Sequence, residues 1–398
     1  MKTLIIYCIL SGMVILSGCN KQQPIDTGVM KTIKFESSEA IDLGQFIDKV
    51  HLVQLENRPE SAFTEIYKLI VTGANIFMLD KRLEAVFCFD TTGKFRYRIQ
   101  RIGRGPGEYK ELDAMWVKPE EKELWLQSFW PSRIMVYNFD GRLLRDFPIR
   151  WSGKDMIGLG GNLIAGFNTT KSNDGIDSLP GGVFLLNNGG KMKGQSLIAG
   201  NSYPYWGVNY QRYFEEFENG ALLLNQSDTI YRINESGEST PEVFLDWGEL
   251  KYPEKLKNIS YDSPRYQETE NLKYVYGKDQ LVAFGPIRLF RIILDRHMEL
   301  AMANLLTGEG SFSDQFNSSN VQVPLLYPLG KSDKGELVGI YDIDLLMAYK
   351  DSRTGQPENS IADKLYQVMD STVNTALAQD RPVLWFAKIK NEWLTKSY

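Results

Sequence analysis

The stretch Val86–Tyr109, VFCFDTTGKFRYRIQRIGRGPGEY, decides how the rest of the chain is read. It opens with a short apolar strand, Val86–Phe89. Asp90-Thr91-Thr92-Gly93 follows as a tight turn, with Asp where its side chain bonds the backbone and Gly where φ is positive. A second strand comes next, then a glycine-rich exit, Arg101–Tyr109. The first half of this pattern returns down the chain. Counterparts of the turn are Phe139-Asp140-Gly141, Leu186-Asn187-Asn188-Gly189, Ile233-Asn234-Glu235-Ser236-Gly237 and a degenerate Leu294-Asp295-Arg296-His297. Positions 90, 140, 187, 234 and 295 are separated by 50, 47, 47 and 61 residues. A period near 50 with several strands per unit signals a β-propeller. WD40 units are shorter and carry a G-H…W-D pattern that this chain lacks.

Strands precede most of these turns in readable pairs. Asn75–Leu79 and Val86–Phe89 come before Asp90, Leu124–Ser128 and Ile134–Asn138 before Asp140, and Ala221–Asn225 and Thr229–Ile233 before Asn234. Each unit therefore reads A strand, B strand, loop, C strand, Asx/Gly turn, D strand. Five units are legible, and a sixth runs from Val321 to the C-terminus with Glu336–Tyr341 and Pro382–Ile389 as strands. Ser360–Ala378 interrupts the pattern: Ile361, Leu365, Val368, Thr372 and Ala376 fall on one face at helical spacing, so one amphipathic helix is expected there. The runs Met30–Phe35 and His51–Leu55 are expected to pair with the C-terminal strand and close the ring, leaving no open edge. The expected fold is all-β: a six-bladed propeller of four-stranded antiparallel blades over residues 30–398.

These residues resemble a known family. Phe77-Met78-Leu79-Asp80, Val86-Phe87-Cys88-Phe89-Asp90, Gly93-Lys94, Ile102-Gly103-Arg104-Gly105-Pro106-Gly107-Glu108-Tyr109 and Asp228-Thr229-Ile230-Tyr231-Arg232 are similar to segments of the six-bladed β-propeller lipoproteins of Bacteroidota-type bacteria, distant relatives of NHL-repeat propellers. The likeness covers nearly all of the chain after residue 19. It implies a fold and a location and names no reaction.

The N-terminus carries its own signal. Lys2 and the apolar run Leu4–Leu16 read as a secretory signal core. The run ends in Leu16-Ser17-Gly18-Cys19, which resembles a lipobox. Residues 1–18 are expected to be a lipoprotein signal peptide and 19–29 a lipidated tether, so the membrane is a partner through lipid on Cys19. No acidic run follows Asn20, which favours the periplasmic side of the outer membrane. Cys8 and Cys19 are thereby accounted for, and Cys88 is left as a small buried hydrophobe in an apolar strand. The net charge is −5 with no basic run, so the electrostatic footprint of a nucleic-acid binder is missing.

Propeller geometry sorts the loops. With A innermost and antiparallel neighbours, the A–B and C–D turns share one face of the disc, and the B–C and D–A connections share the other. The Asx/Gly turns are short, so their face should be plain. The opposite face receives the B–C loops Asp80–Ala85, Phe129–Arg133 and Gln226–Asp228, and the D–A connections Arg101–Tyr109, Asn201–Arg212, Gly248–Asn271 and Thr307–Asn320. Loops on a rigid scaffold are where binding concentrates. The candidate binding residues are Arg82, Arg101, Arg104, Glu108, Tyr109, Trp130, Arg133, Tyr205, Trp206, Tyr210 and Arg212, an aromatic and arginine mixture that suits a protein, glycan or peptide. A structural alternative stands beside it: the aromatics seal the propeller, the glycines shape the crossover, and Arg104 pairs with Glu108.

Catalytic signatures are sparse. Arg101–Tyr109 lacks the Lys-Ser/Thr of a phosphate loop. His51 and His297 are the only histidines, too few for a His-rich metal centre, and no G-x-S-x-G is present. No catalytic residue, metal or cofactor is assigned. Glycoside hydrolysis or a lyase reaction needs only two placed carboxylates, and Glu108, Asp113, Glu215 and Asp228 fall near the long-loop face. The expected function is a lipid-anchored envelope binding module, with a carboxylate-based glycosidase or lyase as the alternative.

Overall fold

Three strands precede the first repeat: β1 (Lys31–Ser37), β2 (Ile41–Asp42) and β3 (Ile47–Gln54). The computed structural model describes residues 30–149, 151, 153–168, 181–198, 212–224, 227–257, 259, 263–265, 273–317, 327–341, 347, 373–377, 379 and 381–395. Unit 1 holds β4 (Lys68–Thr72), β5 (Asn75–Asp80), β6 (Ala85–Asp90) and β7 (Phe95–Ile99). Unit 2 holds β8 (Glu111–Lys118), β9 (Glu123–Trp130), β10 (Arg133–Asn138) and β11 (Leu143–Pro148). Unit 3 holds β12 (Asp155–Gly158), β13 (Leu163–Asn168), β14 (Gly182–Asn187) and β15 (Met192–Ile198). Unit 4 holds β16 (Phe214–Phe217), β17 (Gly220–Leu224), β18 (Thr229–Asn234) and β19 (Ser239–Asp246). Unit 5 holds β20 (Val275–Phe284), β21 (Ile287–Leu294), β22 (His297–Asn304) and β23 (Glu309–Ser313). A short parallel pair joins β2 to β24 (Phe316–Asn317). Unit 6 holds β25 (Gly330–Lys331), β26 (Leu337–Tyr341) and β27 (Val383–Ile389), with β3 as its fourth strand.

Among the described residues there are thus six four-stranded antiparallel units. Their first strands form a closed cycle: β4 lies against β8, β8 against β12, β12 against β16, β16 against β20, β20 against β25 and β25 against β4. The core is divided the same way. One apolar cluster fills each junction between units, for example Phe77, Cys88, Met115 and Leu124 between units 1 and 2, and Leu69, Met78, Val338 and Phe386 between units 6 and 1. Successive side chains of a strand point to opposite faces, so Phe77 serves one junction and Ile76 and Met78 the next. Inner strands are buried on both faces, which explains continuous apolar runs such as Ile76–Leu79. This is a β-propeller.

The turn signal is real, and the structure re-indexes it. Asp90 Oδ1 accepts the amides of Thr92 (2.9 Å) and Lys94 (3.1 Å). The same bonds in unit 2 are made by Asn138, not Asp140: Asn138 Oδ1 accepts from Asp140 (3.1 Å) and Arg142 (2.9 Å). Asn187 and Asn234 repeat the arrangement. Asp295 does not. It sits in the tight turn between β21 and β22, a B–C connection, and the C–D turn of unit 5 begins at Asn304, which accepts the Leu306 amide at 3.0 Å. The expectation that Thr307–Asn320 is a D–A connection fails for the same reason, because β23 lies inside it.

Closure is also corrected in part. The segment around His51–Leu55 does pair with the C-terminal strand: β3 runs antiparallel to β27, with His51 opposite Phe386. Met30–Phe35 does not. β1 lies parallel between β19 and β23 and joins units 4 and 5 into one nine-stranded sheet. Of the expected C-terminal helix, residues 373–377 are described and helical, with Val373 and Ala376 buried against units 5 and 6; Ile361, Leu365, Val368 and Thr372 lie outside the described residues, as do Cys8 and Cys19. Cys88 is free and buried, and burial pushes its thiol up to about 12.

Candidate functional site

The crossover from β7 to β8 is welded to its surroundings. Within it, Gly103 donates to the Tyr109 carbonyl (2.9 Å) and Tyr109 to the Arg101 carbonyl (2.9 Å). The Glu108 carboxylate accepts the Gly105 amide at 2.9 Å and fills the space that a Cβ on Gly103 would need. Arg133 donates one nitrogen to both the Gly105 carbonyl (2.9 Å) and Asp146 (2.6 Å), and Asp146 accepts the Gly107 amide (2.7 Å). Tyr109 is fully buried, its hydroxyl donating to the carbonyls of Glu84 and Ile99. Glu108, Tyr109 and Arg133 therefore build the loop; Tyr109 has no surface left for a partner, while Glu108 and Arg133 stay partly exposed. The Glu108 carboxylate engages the Gly105 amide where pairing with Arg104 was the structural alternative.

What the welded loop presents is different. Arg82, Arg101 and Arg104 are exposed. Trp130 is 53% exposed, and two residues that sequence reasoning passed over accompany it: Ile102 at 55% and Phe129 at 39%. The Lys110 amide donates to the Trp130 carbonyl at 2.8 Å, which holds the β9–β10 loop against the crossover. The signal for Ile102 and Phe129 was present. Ile102 stands alone between Arg101 and Gly103, and Phe129-Trp130-Pro131 ends a strand with large side chains where a polar turn is usual. Tyr205, Trp206 and Tyr210 lie outside the described residues.

Arg212 is elsewhere. It lines a cavity of about 460 Å³ on the propeller axis, walled by β4, β8, β12, β16 and β25. Its charged floor joins units across the axis. Lys68 pairs with Asp155 at 2.5 Å, and Asp155 also accepts the amides of Met156, Tyr213 and Phe214, each at 2.9 Å. Glu215 pairs with Arg212 and, at 3.1 Å, with Lys331. Burial holds the Lys68 ammonium below its ordinary range, and the Asp155 charge opposes that shift. Pro119, Glu120, Glu218, Asp333 and Gly335, in or beside the A–B turns, also line the cavity, so it reaches the face expected to be plain.

The four carboxylates of the glycosidase alternative are each engaged. Asp113 faces Lys81 (3.3 Å) and Lys154 (3.6 Å), Asp228 faces Lys278 (3.0 Å), Glu215 has Arg212 and Lys331, and Glu108 has the Gly105 amide. Nothing in this arrangement supports glycoside hydrolysis.

Comparison with known proteins fits the architecture. The chain is similar to a putative exported protein from Bacteroides fragilis, with 14% identity, a TM-score of 0.69, and coverage of 91% of this chain and 100% of that one. It also aligns with a DUF4221 family member from Bacteroides vulgatus (9% identity, TM-score 0.47, 87% and 98% covered), and with BamB from Moraxella catarrhalis (8% identity, TM-score 0.33, 65% and 66% covered). No curated protein matches. A family model described as a domain of unknown function, DUF4934, matches residues 30–378, a span that runs from β1 through the helical residues 373–377 and leaves out β27 of unit 6, and the chain belongs to the DUF4934 family.

Proposed function

We propose that this protein is an exported, lipid-anchored, six-bladed propeller that holds a protein partner on the crossover patch of units 1 and 2. One observation carries the reading: Ile102, Phe129 and Trp130 are exposed together on loops fixed by backbone hydrogen bonds and by Arg133. Large apolar side chains held rigidly in solvent are the usual anchors of an interface, and the arginines Arg82, Arg101 and Arg104 supply its polar rim. The six antiparallel units support the blade number. The likeness to a putative exported protein and the Leu16–Cys19 sequence support export and an anchor on Cys19, and the residues after Cys19 favour the periplasmic side of the outer membrane.

Photo-crosslinking in native envelopes tests the patch. A crosslinker at position 104 should capture a partner that one at position 91, in a C–D turn, does not. Trp130→Ala combined with Ile102→Ser should abolish the capture while the melting temperature holds. The same capture from both positions, or capture indifferent to the double substitution, overturns the reading. Cys19→Ser should move the protein from the membrane fraction to the soluble one, which checks the anchor separately.

A further inference from the structure

The axial cavity lies apart from the crossover patch. Its floor cations are spent: Lys68 on Asp155, and Arg212 and Lys331 on Glu215, with Lys331 also donating to the Ala283 carbonyl at 2.6 Å. Part of the rest of the wall is apolar: Ile70 and Trp116 present partly exposed surface, flanked by Val117 and Ile157. Carboxylates follow. Glu218 is taken by Arg232, and Asp333 accepts the Gly73 amide. The side-chain carboxylates of Glu120 and Glu216 have no hydrogen bond or ion pair among the described residues.

We infer that this cavity binds an alkylammonium group, its aliphatic stem against the apolar wall and its cation between Glu120 and Glu216. Charge and shape point the same way. An anionic ligand would meet mouth carboxylates and floor cations that already have partners. A cation meets two carboxylates that lack one. The volume falls within the range of roughly 300–1,000 Å³ usual for small-molecule sites. Both carboxylates are exposed at the mouth. A cation held between them needs them charged, so binding should weaken as pH falls and they take up protons.

Titration calorimetry of the full chain with n-pentylamine, methylamine and pentanoate tests the assignment. Pentylammonium should bind saturably at one per chain. Methylammonium should be weaker by more than tenfold, since each buried methylene is worth roughly three- to fourfold in affinity. Pentanoate should show no saturation. Glu120→Gln with Glu216→Gln, both at or near the solvent-exposed mouth, should weaken pentylammonium at least tenfold without changing the melting temperature, and Trp130→Ala should leave it untouched. No saturable binding, equal binding of pentanoate, or indifference to the double substitution overturns the proposal. A blocked Gly-Lys-Gly peptide separates two sources of the same chemistry: tighter binding than the free amine assigns the group to a lysine on a polypeptide, weaker binding to a free small molecule.

Discussion

At Gly141 the backbone is in the left-handed region, with φ of +79°, and a Cβ would meet the Tyr97 ring at 2.8 Å. Gly308 occupies the equivalent turn of unit 5 at φ +77°, yet a Cβ there meets nothing within 4 Å. The difference lies in the neighbours. Gly141 packs on the outer strand of the preceding unit, whereas β1 separates unit 5 from unit 4. Both alanine substitutions carry the left-handed penalty of roughly 1–2 kcal/mol. Only Gly141→Ala should add overpacking of about 1–3 kcal/mol. Urea unfolding midpoints check this, and equal losses at the two glycines would contradict it. A second residue makes a pH prediction. Burial raises the Glu84 carboxyl to about 7, although its Oε2 accepts the Leu112 amide and Lys81 draws it down. A carboxyl raised on folding contributes stability at pH below its unfolded value, and that contribution is lost as pH climbs through the folded one. Glu84→Gln keeps an acceptor for Leu112 and removes the buried charge. It should gain roughly 1 kcal/mol over the wild type at pH 8, after allowance for solvent screening of a half-exposed group, and nothing near pH 4. Stability that rises equally at both pH values would refute the assignment to this carboxyl.

At the scale of elements, the inner strands are pinned across the axis by ions that the apolar pattern does not show. Asp155 on β12 takes one lysine from β4 and two amides at the start of β16. Removing either side of a buried pair is not symmetric. Asp155→Asn leaves Lys68 buried without its countercharge and should cost about 3–5 kcal/mol. Lys68→Met leaves Asp155 with three amide donors and should cost less. A double-mutant cycle in urea reads the asymmetry, and a larger loss for Lys68→Met would overturn it. The same strands show what a sequence can display. B and C strands such as Asn75–Asp80 and Ala85–Asp90 are buried on both faces and stand out as apolar runs. D strands such as Leu143–Pro148 lie at the rim with little burial, so their composition resembles loops. Asx turns were legible because one side-chain oxygen must serve two amides. Their phase was not, because Asn138 and Asp140 are both good turn residues and only the ladder decides between them. Of the candidate site, the exposed Trp130 and the arginines were legible from loop position. The burial of Tyr109 depends on carbonyls of Glu84 and Ile99, brought to it only by packing. The axial cavity was invisible, since its residues come from five units that no local pattern links.

Across the whole molecule, the position of β1 gives the disc an orientation. β1 runs parallel to β19 and β23, so its first residues lie toward their starting ends, where the C–D turns are. Lys31 confirms the side: its ammonium donates to the Leu305 carbonyl, within the C–D turn of unit 5, at 3.0 Å. Met30 and Lys31 therefore lie toward the turn face. Eleven residue steps lead from Cys19 to Met30, a reach of at most about 40 Å when fully extended. If the proposed lipid sits on Cys19, the shortest arrangement turns that face, with the axial cavity mouth, toward the bilayer. The crossover patch then faces away, free to meet a partner. A fluorophore placed at position 235, in the C–D turn of unit 4, should be quenched by a lipid-borne quencher more strongly than one at position 104 in the crossover. The contrast should vanish in Cys19→Ser, which loses the anchor and both signals together. Equal quenching in the anchored protein, or stronger quenching at position 104, would mean that the tether wraps the rim and that the patch itself lies against the membrane.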